Sequence, residues 1–137
     1  MIRSINILMT ISNIKIIDRS IIKNVNGDIL KYANKNEKFF KGFGEIYFSE
    51  IKRNKIKGWN YHKKNYCLFS VPFGKVIFNF RKGEKTKKVI ISKKNYRLIL
   101  LPPRIWFSFT SLVKLSVVAN IIKIPHDDKE TLKRPIR

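Results

Sequence analysis

The sequence predicts an all-β protein built as a two-sheet jelly-roll, and three observations point there. Short segments rich in Ile, Val, Phe and Tyr recur along the 137 residues, each closed by Gly, Pro, Asn or Lys. Apolar stripes at helical spacing are almost absent, so the strands do not alternate with the helices of a parallel α/β sheet. Several strands are apolar on both faces: in "VIFNF", Val76, Phe78 and Phe80 share one face while Ile77 and Asn79 share the other. Strands covered on both sides belong in stacked sheets with a second surface overlaid in its turn, for instance by a partner subunit. A jelly-roll meets all three demands with one chain of this length.

Taken in order, strands are expected at 13–17 ("NIKII"), 44–51 ("GEIYFSEI"), 55–62 ("KIKGWNYH"), 67–71 ("CLFSV"), 75–80 ("KVIFNF"), 87–92 ("KKVIIS"), 96–101 ("YRLILL"), 105–109 ("IWFSF") and 115–122 ("LSVVANII"). Pro72 to Gly74 connects two of them, Gly83 closes a hairpin within "KGEKTKK", and Pro102-Pro103 breaks the run before Arg104. Only 28–40 and 127–134 read as short helices or ordered loops. In the second, Asp127 with Glu130 three residues on resembles a capping box, a structural role. The expected organisation is one domain over 1–137, with a core at about 14–124. A polar tail at 125–137 would cross the outside of the barrel, and residues 1–8 read as disordered.

Composition narrows the function classes. The chain is 44% hydrophobic and 12% aromatic, which excludes disorder. Thirty Lys and Arg against nine Asp and Glu leave a net charge of +21. Such a surface attracts polyanions and speeds the arrival of small anionic ligands. The cations are scattered and mostly lysine, and they accompany abundant Ile and Asn, the pattern of a codon bias. Nucleic acid is therefore not the expected partner, and no nucleic-acid-reading motif is present. The single Cys67, inside "NYCLFSV", reads as a buried core residue and excludes a disulfide framework. No apolar run is long enough to insert in a membrane, and "MIRSINILMT" lacks the parts of a signal peptide, so the cytoplasm is the expected location.

Four stretches carry a resemblance. "KGFGEIYFSEI", "IKGWNYHKKNYCLFSVPFGKVIFNF", "LPPRIWFSFTSL" and "VVANIIKIPHDDKE" occur in the order and spacing of the sugar-nucleotide cupins. The chain resembles dTDP-4-dehydrorhamnose 3,5-epimerase and its short relatives, the ketoisomerase-like cupins of surface-polysaccharide synthesis. That resemblance implies a double-stranded β-helix jelly-roll (cupin), a homodimer, no metal or other cofactor, and a nucleotide sugar such as a dTDP-4-keto-6-deoxyhexose as partner. The epimerases mark their first catalytic strand with a pattern like Arg-Gly-Leu-His-Tyr-Gln. Here it falls on Lys57, Gly58, Trp59, Asn60, Tyr61 and His62, so the histidine of that pattern is replaced by Asn60. A second pattern, like Pro-Pro-Gly-Phe-Ala-His, falls on Pro102 to Phe107, with Arg104 for the glycine and Phe107 for the histidine. The acidic tyrosine expected in "LSVVANII" is missing. The short relatives fit better, with a pattern like Lys-Gly-Trp-x-x-His-Lys, then Pro-Pro-x-x-Trp, then His-Asp before an acidic residue. These match Lys57, Gly58, Trp59, His62 and Lys63; Pro102, Pro103 and Trp106; and His126, Asp127 and Glu130.

The residues themselves set the candidate chemistry. His62 shares a strand face with Asn60, and an imidazole can remove the acidic proton beside a keto group; a hydrogen-bonded structural histidine is the equal alternative. Gly58, two residues earlier, is expected to leave room there for a ligand. Tyr47 and Glu45 lie in phase on the preceding strand and are the candidate acids. For substrate binding the candidates are Arg104, placed to grip a diphosphate, and Lys57 and Lys63, out of phase with His62 and so on a rim. Asn60 lies on the pocket face, while Trp59 and Trp106 are placed to stack on a base, core packing being the commoner fate of such aromatics. A metal site is not expected, since His62 alone remains of the histidine ligand positions. Three functions follow: an epimerase or isomerase, a catalytically silent nucleotide-sugar-binding module, and, weakest, a basic nucleic-acid binder.

Overall fold

The computed structural model describes residues 11–135; the expectation for residues 1–8 lies outside the described residues. The chain forms β1 (Lys15–Asp18), β2 (Ile21–Ile22), β3 (Ile29–Leu30), β4 (Glu45–Lys52), β5 (Ile56–His62), β6 (Cys67–Phe73), β7 (Lys75–Lys82), β8 (Lys85–Ser92), β9 (Arg97–Leu101), β10 (Trp106–Ser111), β11 (Leu115–Ile122) and β12 (Thr131–Lys133). A 3-10 turn at Lys93–Asn95 joins β8 to β9. Two five-stranded antiparallel sheets result, ordered β1-β9-β6-β11-β4 and β12-β5-β10-β7-β8, with β2 and β3 as a separate hairpin. The all-β jelly-roll expectation holds.

Alternation explains which side chains meet between the sheets. Val76, Phe78 and Phe80 of β7, with Phe107 and Phe109 of the neighbouring β10, lie against Cys67, Phe69 and Val71 of β6 in the other sheet, all buried. Phe69 contacts both Phe78 and Phe107, at centroid distances of 5.2 and 5.3 Å. Burying one such ring contributes about 1.5–3 kcal/mol, so this aromatic layer is the main fastening between the sheets. Cys67 is fully buried within it, and burial pushes its thiol up to about 12, which leaves it protonated and unreactive.

Residues 28–40 follow the ordered-loop alternative, with β3 and turns and no helix, and three other expectations are corrected here. Tyr32, Phe39 and Phe40 of this stretch pack on Leu68, Leu98 and Leu100, the outer face of the first sheet. The second apolar surface is thus covered, at this sheet, by the chain's own segment rather than by a partner. Residues 127–134 form no helix either: Lys129 N–H donates to Asp127 Oδ1 at 2.9 Å in a tight turn, and β12 then pairs with β5, Thr131 opposite His62 and Lys133 opposite Asn60. The tail is an edge strand of the second sheet. Third, Gly58 makes room for backbone. A Cβ there would stand 2.7 Å from Phe107 O and 2.8 Å from Ser108 Cα, and its φ is +121°, so a glycine is needed for β10 to approach β5.

Candidate functional site

The sheets open at one end onto a cavity of about 230 Å³. Its walls come from strands whose inward phase is fixed by the core: Tyr47 and Ser49 from β4, Asn60 and His62 from β5, Val118 and Asn120 from β11, with Phe69, Phe107 and Phe109 as the apolar floor. Thr131 and Lys133 of β12 close the open side, and His126 stands at the mouth.

Lys57 also lines this cavity, against the expectation of a rim position. The reason is a bulge. Phe107 pairs with Asn60 and Ser108 with Gly58, which leaves Trp59 unmatched on β10. One extra residue in β5 inverts the alternation upstream, so Lys57 falls in phase with Asn60 and His62.

His62 is 6% exposed, and its ring lies parallel to Phe107 at 5.9 Å. Its Nδ1 is 2.7 Å from Oε1 of Glu130. The other carboxylate oxygen, Oε2, accepts from the backbone N–H groups of Lys64 and Asn65, both at 2.8 Å. Burial alone would raise the Glu130 carboxyl; the hydrogen bonds from His62, Lys64 and Asn65 outweigh it and hold the group below its ordinary value. An ionised Glu130 only accepts, so Nδ1 carries the ring proton and donates it in the hydrogen bond to Oε1, which fixes the tautomer. Nε2 is then the ring's proton-accepting atom, and it has no hydrogen-bond partner among the described residues. The expected capping box is therefore corrected: the Glu130 carboxylate turns inward to orient a histidine instead of capping a helix.

Tyr47 is half-buried, and its hydroxyl accepts from Asn120 Nδ2 at 3.1 Å. Burial first, then the nearby Cys67, pushes the phenol up to about 12, so it enters neutral-pH chemistry as a proton donor. Asn120 is 3% exposed, and its Oδ1 is buried without a partner among the described residues. An orphaned buried acceptor costs about 1–3 kcal/mol, a cost that a ligand donor would remove.

The other expected residues lie elsewhere. Glu45 does not line the cavity; its Oε1 accepts from the His126 backbone N–H at 2.9 Å and holds that segment at the mouth. Lys63 and Arg104 are exposed, and neither lines the cavity; Arg104 adopts φ 68° and donates its backbone N–H to His62 O at 2.7 Å. Trp59 and Trp106 point to the opposite face of the second sheet, where Arg81, Arg134 and Pro135 join them. Among the described residues no three His, Cys, Asp or Glu side chains converge as metal ligands would. Sequence reasoning missed Glu130 as the partner of His62, and Asn120, Thr131 and Lys133 as cavity residues. Only Asn120 carried a local signal, as an amide between Val118 and Ile122 on the same strand face.

No protein-family model matches the chain, and no curated protein does. Solved structures do match. The dTDP sugar isomerase from Desulfovibrio desulfuricans G20 superposes with a TM-score of 0.86 at 28% identity, over 91% of this chain and 85% of that one. The epimerase RmlC from Legionella pneumophila Philadelphia 1, in complex with dTDP-4-keto-L-rhamnose, gives 0.79 at 18%, over 90% and 73%. The sugar 3,4-ketoisomerase QdtA from Thermoanaerobacterium thermosaccharolyticum, in complex with TDP, gives 0.79 at 13%, over 91% and 90%. The chain thus has the cupin-type fold of dTDP-sugar epimerases and ketoisomerases over about nine-tenths of its length. No helix among the described residues is long and apolar enough to cross a membrane.

Proposed function

We propose that the protein is a cytoplasmic isomerase of surface-glycan synthesis that moves a proton beside the keto group of a dTDP-4-keto-6-deoxyhexose. The observation that carries this reading is the His62–Glu130 pair at 2.7 Å, whose imidazole lines a cavity that Tyr47 also lines. His62 Nε2 takes a proton from the carbon next to the carbonyl; the C–H bond breaks, its electron pair moves into the enolate, and the carbonyl oxygen gains the charge. Glu130 stabilises the imidazolium that forms, through the bond to Nδ1. Tyr47 donates to the developing oxyanion or returns a proton, since Asn120 occupies one of its acceptor positions and leaves its own proton free. Return of the proton to the opposite face of the same carbon gives epimerisation. Return to the neighbouring carbon, with an oxygen-to-oxygen proton shift, gives keto migration. The apolar floor of Phe69, Phe107 and Phe109 strengthens these electrostatic effects.

A second reading is a silent nucleotide-sugar-binding module, and Asn60 and Phe107 favour it, each standing where the epimerase patterns have histidine. Proton NMR of a dTDP-4-keto-6-deoxyhexose in deuterated water separates the two. Deuterium incorporation beside the carbonyl, lost in His62→Asn, is expected; line broadening without incorporation would establish the silent module. In either case the chain acts as a homodimer in this proposal. Support comes from β4, an edge strand that carries Phe48 67% exposed and Ile46 39% exposed on its outward face.

A further inference from the structure

The two walls of the cavity differ in kind. The second sheet brings the titratable and charged groups, His62, Lys57 and Lys133, whereas the polar side chains of the first sheet are all neutral: Tyr47, Ser49 and Asn120. Tyr47 and Asn120 are direct partners across the β4–β11 ladder, so their side chains stand beside each other on one face.

That pair has unused capacity at both ends. Asn120 Nδ2 donates to the Tyr47 hydroxyl at 3.1 Å. The bond occupies only an acceptor position of the hydroxyl, which keeps its own proton to give. At the other end, Asn120 Oδ1 is buried and has no partner among the described residues. Asn120 also reaches the Cys67 thiol, a group too weak in hydrogen bonding to stand in for a hydroxyl or an amide. The wall thus offers one donor and, next to it, one acceptor. A carbonyl oxygen answers the donor and a hydroxyl on the adjacent carbon answers the acceptor, so the pair is complementary to an α-hydroxy ketone. In a 4-keto-6-deoxyhexose only one flank of the carbonyl has that form. C3 carries a hydroxyl, while C5 carries the ring oxygen and a methyl group and offers no proton to Oδ1.

Resting on the reading above, we infer that Asn120 is a specificity-determining residue that directs the reaction to C3. Tyr47 donates to the carbonyl oxygen on C4, and Asn120 Oδ1 accepts from the C3 hydroxyl. His62 belongs to the facing sheet, so a ring held to the first wall by these two oxygens lies between the pair and the base. The C3–H proton passes to His62 Nε2, the electron pair of that bond forms the C3–C4 double bond, and the charge gathers on the C4 oxygen beside the Tyr47 proton. Enolisation toward C5 gains nothing from Asn120.

The test compares dTDP-4-keto-6-deoxyglucose with its 3-deoxy analogue, dTDP-4-keto-3,6-dideoxyglucose, and with dTDP alone. Each is titrated into the normal protein, Asn120→Leu and Asn120→Ser, with thermal midpoints to verify folding. In the normal protein, deuterium from deuterated water should enter at C3 and not at C5, and the 3-deoxy analogue should bind about tenfold more weakly or worse. Asn120→Leu should lose about that factor for the 4-keto sugar, bind the analogue no worse than the normal protein does, and keep its Kd for dTDP. General damage to the site would instead weaken all three ligands together. Asn120→Ser, with a smaller acceptor, should retain part of the discrimination, and it carries the comparison if the leucine variant unfolds.

Undiminished discrimination in the folded variants, equal binding of the two sugars by the normal protein, or deuterium at C5 alone overturns the inference. Exchange at C3 beside undiminished discrimination would strike Asn120 and leave the isomerase standing. Discrimination that depends on Asn120, with no exchange at either carbon, would keep the recognition of the hydroxyl and remove the isomerase. No binding of either sugar would overturn both.

Discussion

On the inner face of the β5–β10 pair, His62 is 6% exposed, and the Glu130 carboxylate bonded to it takes two further backbone donors. On the outer face of the same pair, Trp59 and Trp106 are half-buried, and two guanidiniums stand beside them in water. One strand pair thus carries two kinds of polar surface, separated by the thickness of a sheet. What differs is the cost of error. A buried group must keep every hydrogen bond, because a lost one is not replaced by water; a wet group exchanges partners nearly free of charge. Inner substitutions should therefore act strongly and depend on pH, while outer ones should act weakly and fade with salt.

The largest break in that comparison is expected at His62. His62→Asn removes the base, and the rate of deuterium exchange should fall by about 10²–10⁴-fold with dTDP affinity unchanged. Glu130→Gln keeps the size of the side chain but cannot accept from three donors at once, so the imidazole loses its fixed tautomer; a fall of about 10²-fold or more is expected. If Glu130→Gln exchanged at the normal rate, the carboxylate would be a structural tie between β12 and the turn at 64–65 and nothing more.

Next is Gly58→Ala, which tests whether the two faces are held apart by the close approach of β10. The added methyl meets Phe107 O and Ser108 Cα inside 3.0 Å at φ +121°, so overpacking and backbone strain act together. A loss of about 3 kcal/mol is expected in urea unfolding. A loss under about 1 kcal/mol would mean that the strands separate readily there, and the bulge could not be what aims Lys57 inward.

Smaller again is the acid limb of stability. The Glu130 carboxyl in the folded protein titrates below its ordinary value of 4.5. A depressed carboxyl contributes stability that is complete above pH 4.5 and is lost as pH falls through the folded value. The thermal midpoint should drop in that window for the normal protein, and the drop should be shallower in Glu130→Gln. Parallel curves would show that other carboxylates set the acid limb. On the outer face Arg81→Gln/Arg134→Gln should leave the limb unmoved.

The same two faces show how far the sequence could be read. The strands were legible because a two-residue period repeats wherever one face is buried, as in Val76, Phe78 and Phe80. His62 and Asn60 were legible as one face for the same reason. Lys57 was misplaced because a bulge leaves no mark in composition: Trp59 is a good strand residue whether or not it is paired. Glu130 was misread because Asp127 and Glu130 fit a helical cap locally, and only the pairing of β12 with β5, about 70 residues apart in sequence, turns the carboxylate onto His62. Local pattern carried the fold; the site depends on which edge the last strand joins.

Arg104 gives the smallest expected effect and sharpens the comparison from outside both faces. It resembled a phosphate clamp because it follows two prolines at a strand mouth, yet its side chain is exposed and lines neither the cavity nor the outer pocket. Its backbone is the informative part: φ is 68°, a left-handed conformation that costs a residue with a Cβ about 1–2 kcal/mol. The epimerase pattern has glycine at this position. Glycine removes that strain but makes the unfolded chain more flexible, so Arg104→Gly should gain a net of about 0.5–1 kcal/mol in urea unfolding. Because the Arg104 N–H still donates to His62 O, the histidine strand keeps its place and dTDP-sugar affinity should change by no more than about twofold at moderate salt. A tenfold loss of affinity with the stability gain intact would return the guanidinium to the diphosphate and make the proline turn part of the substrate site.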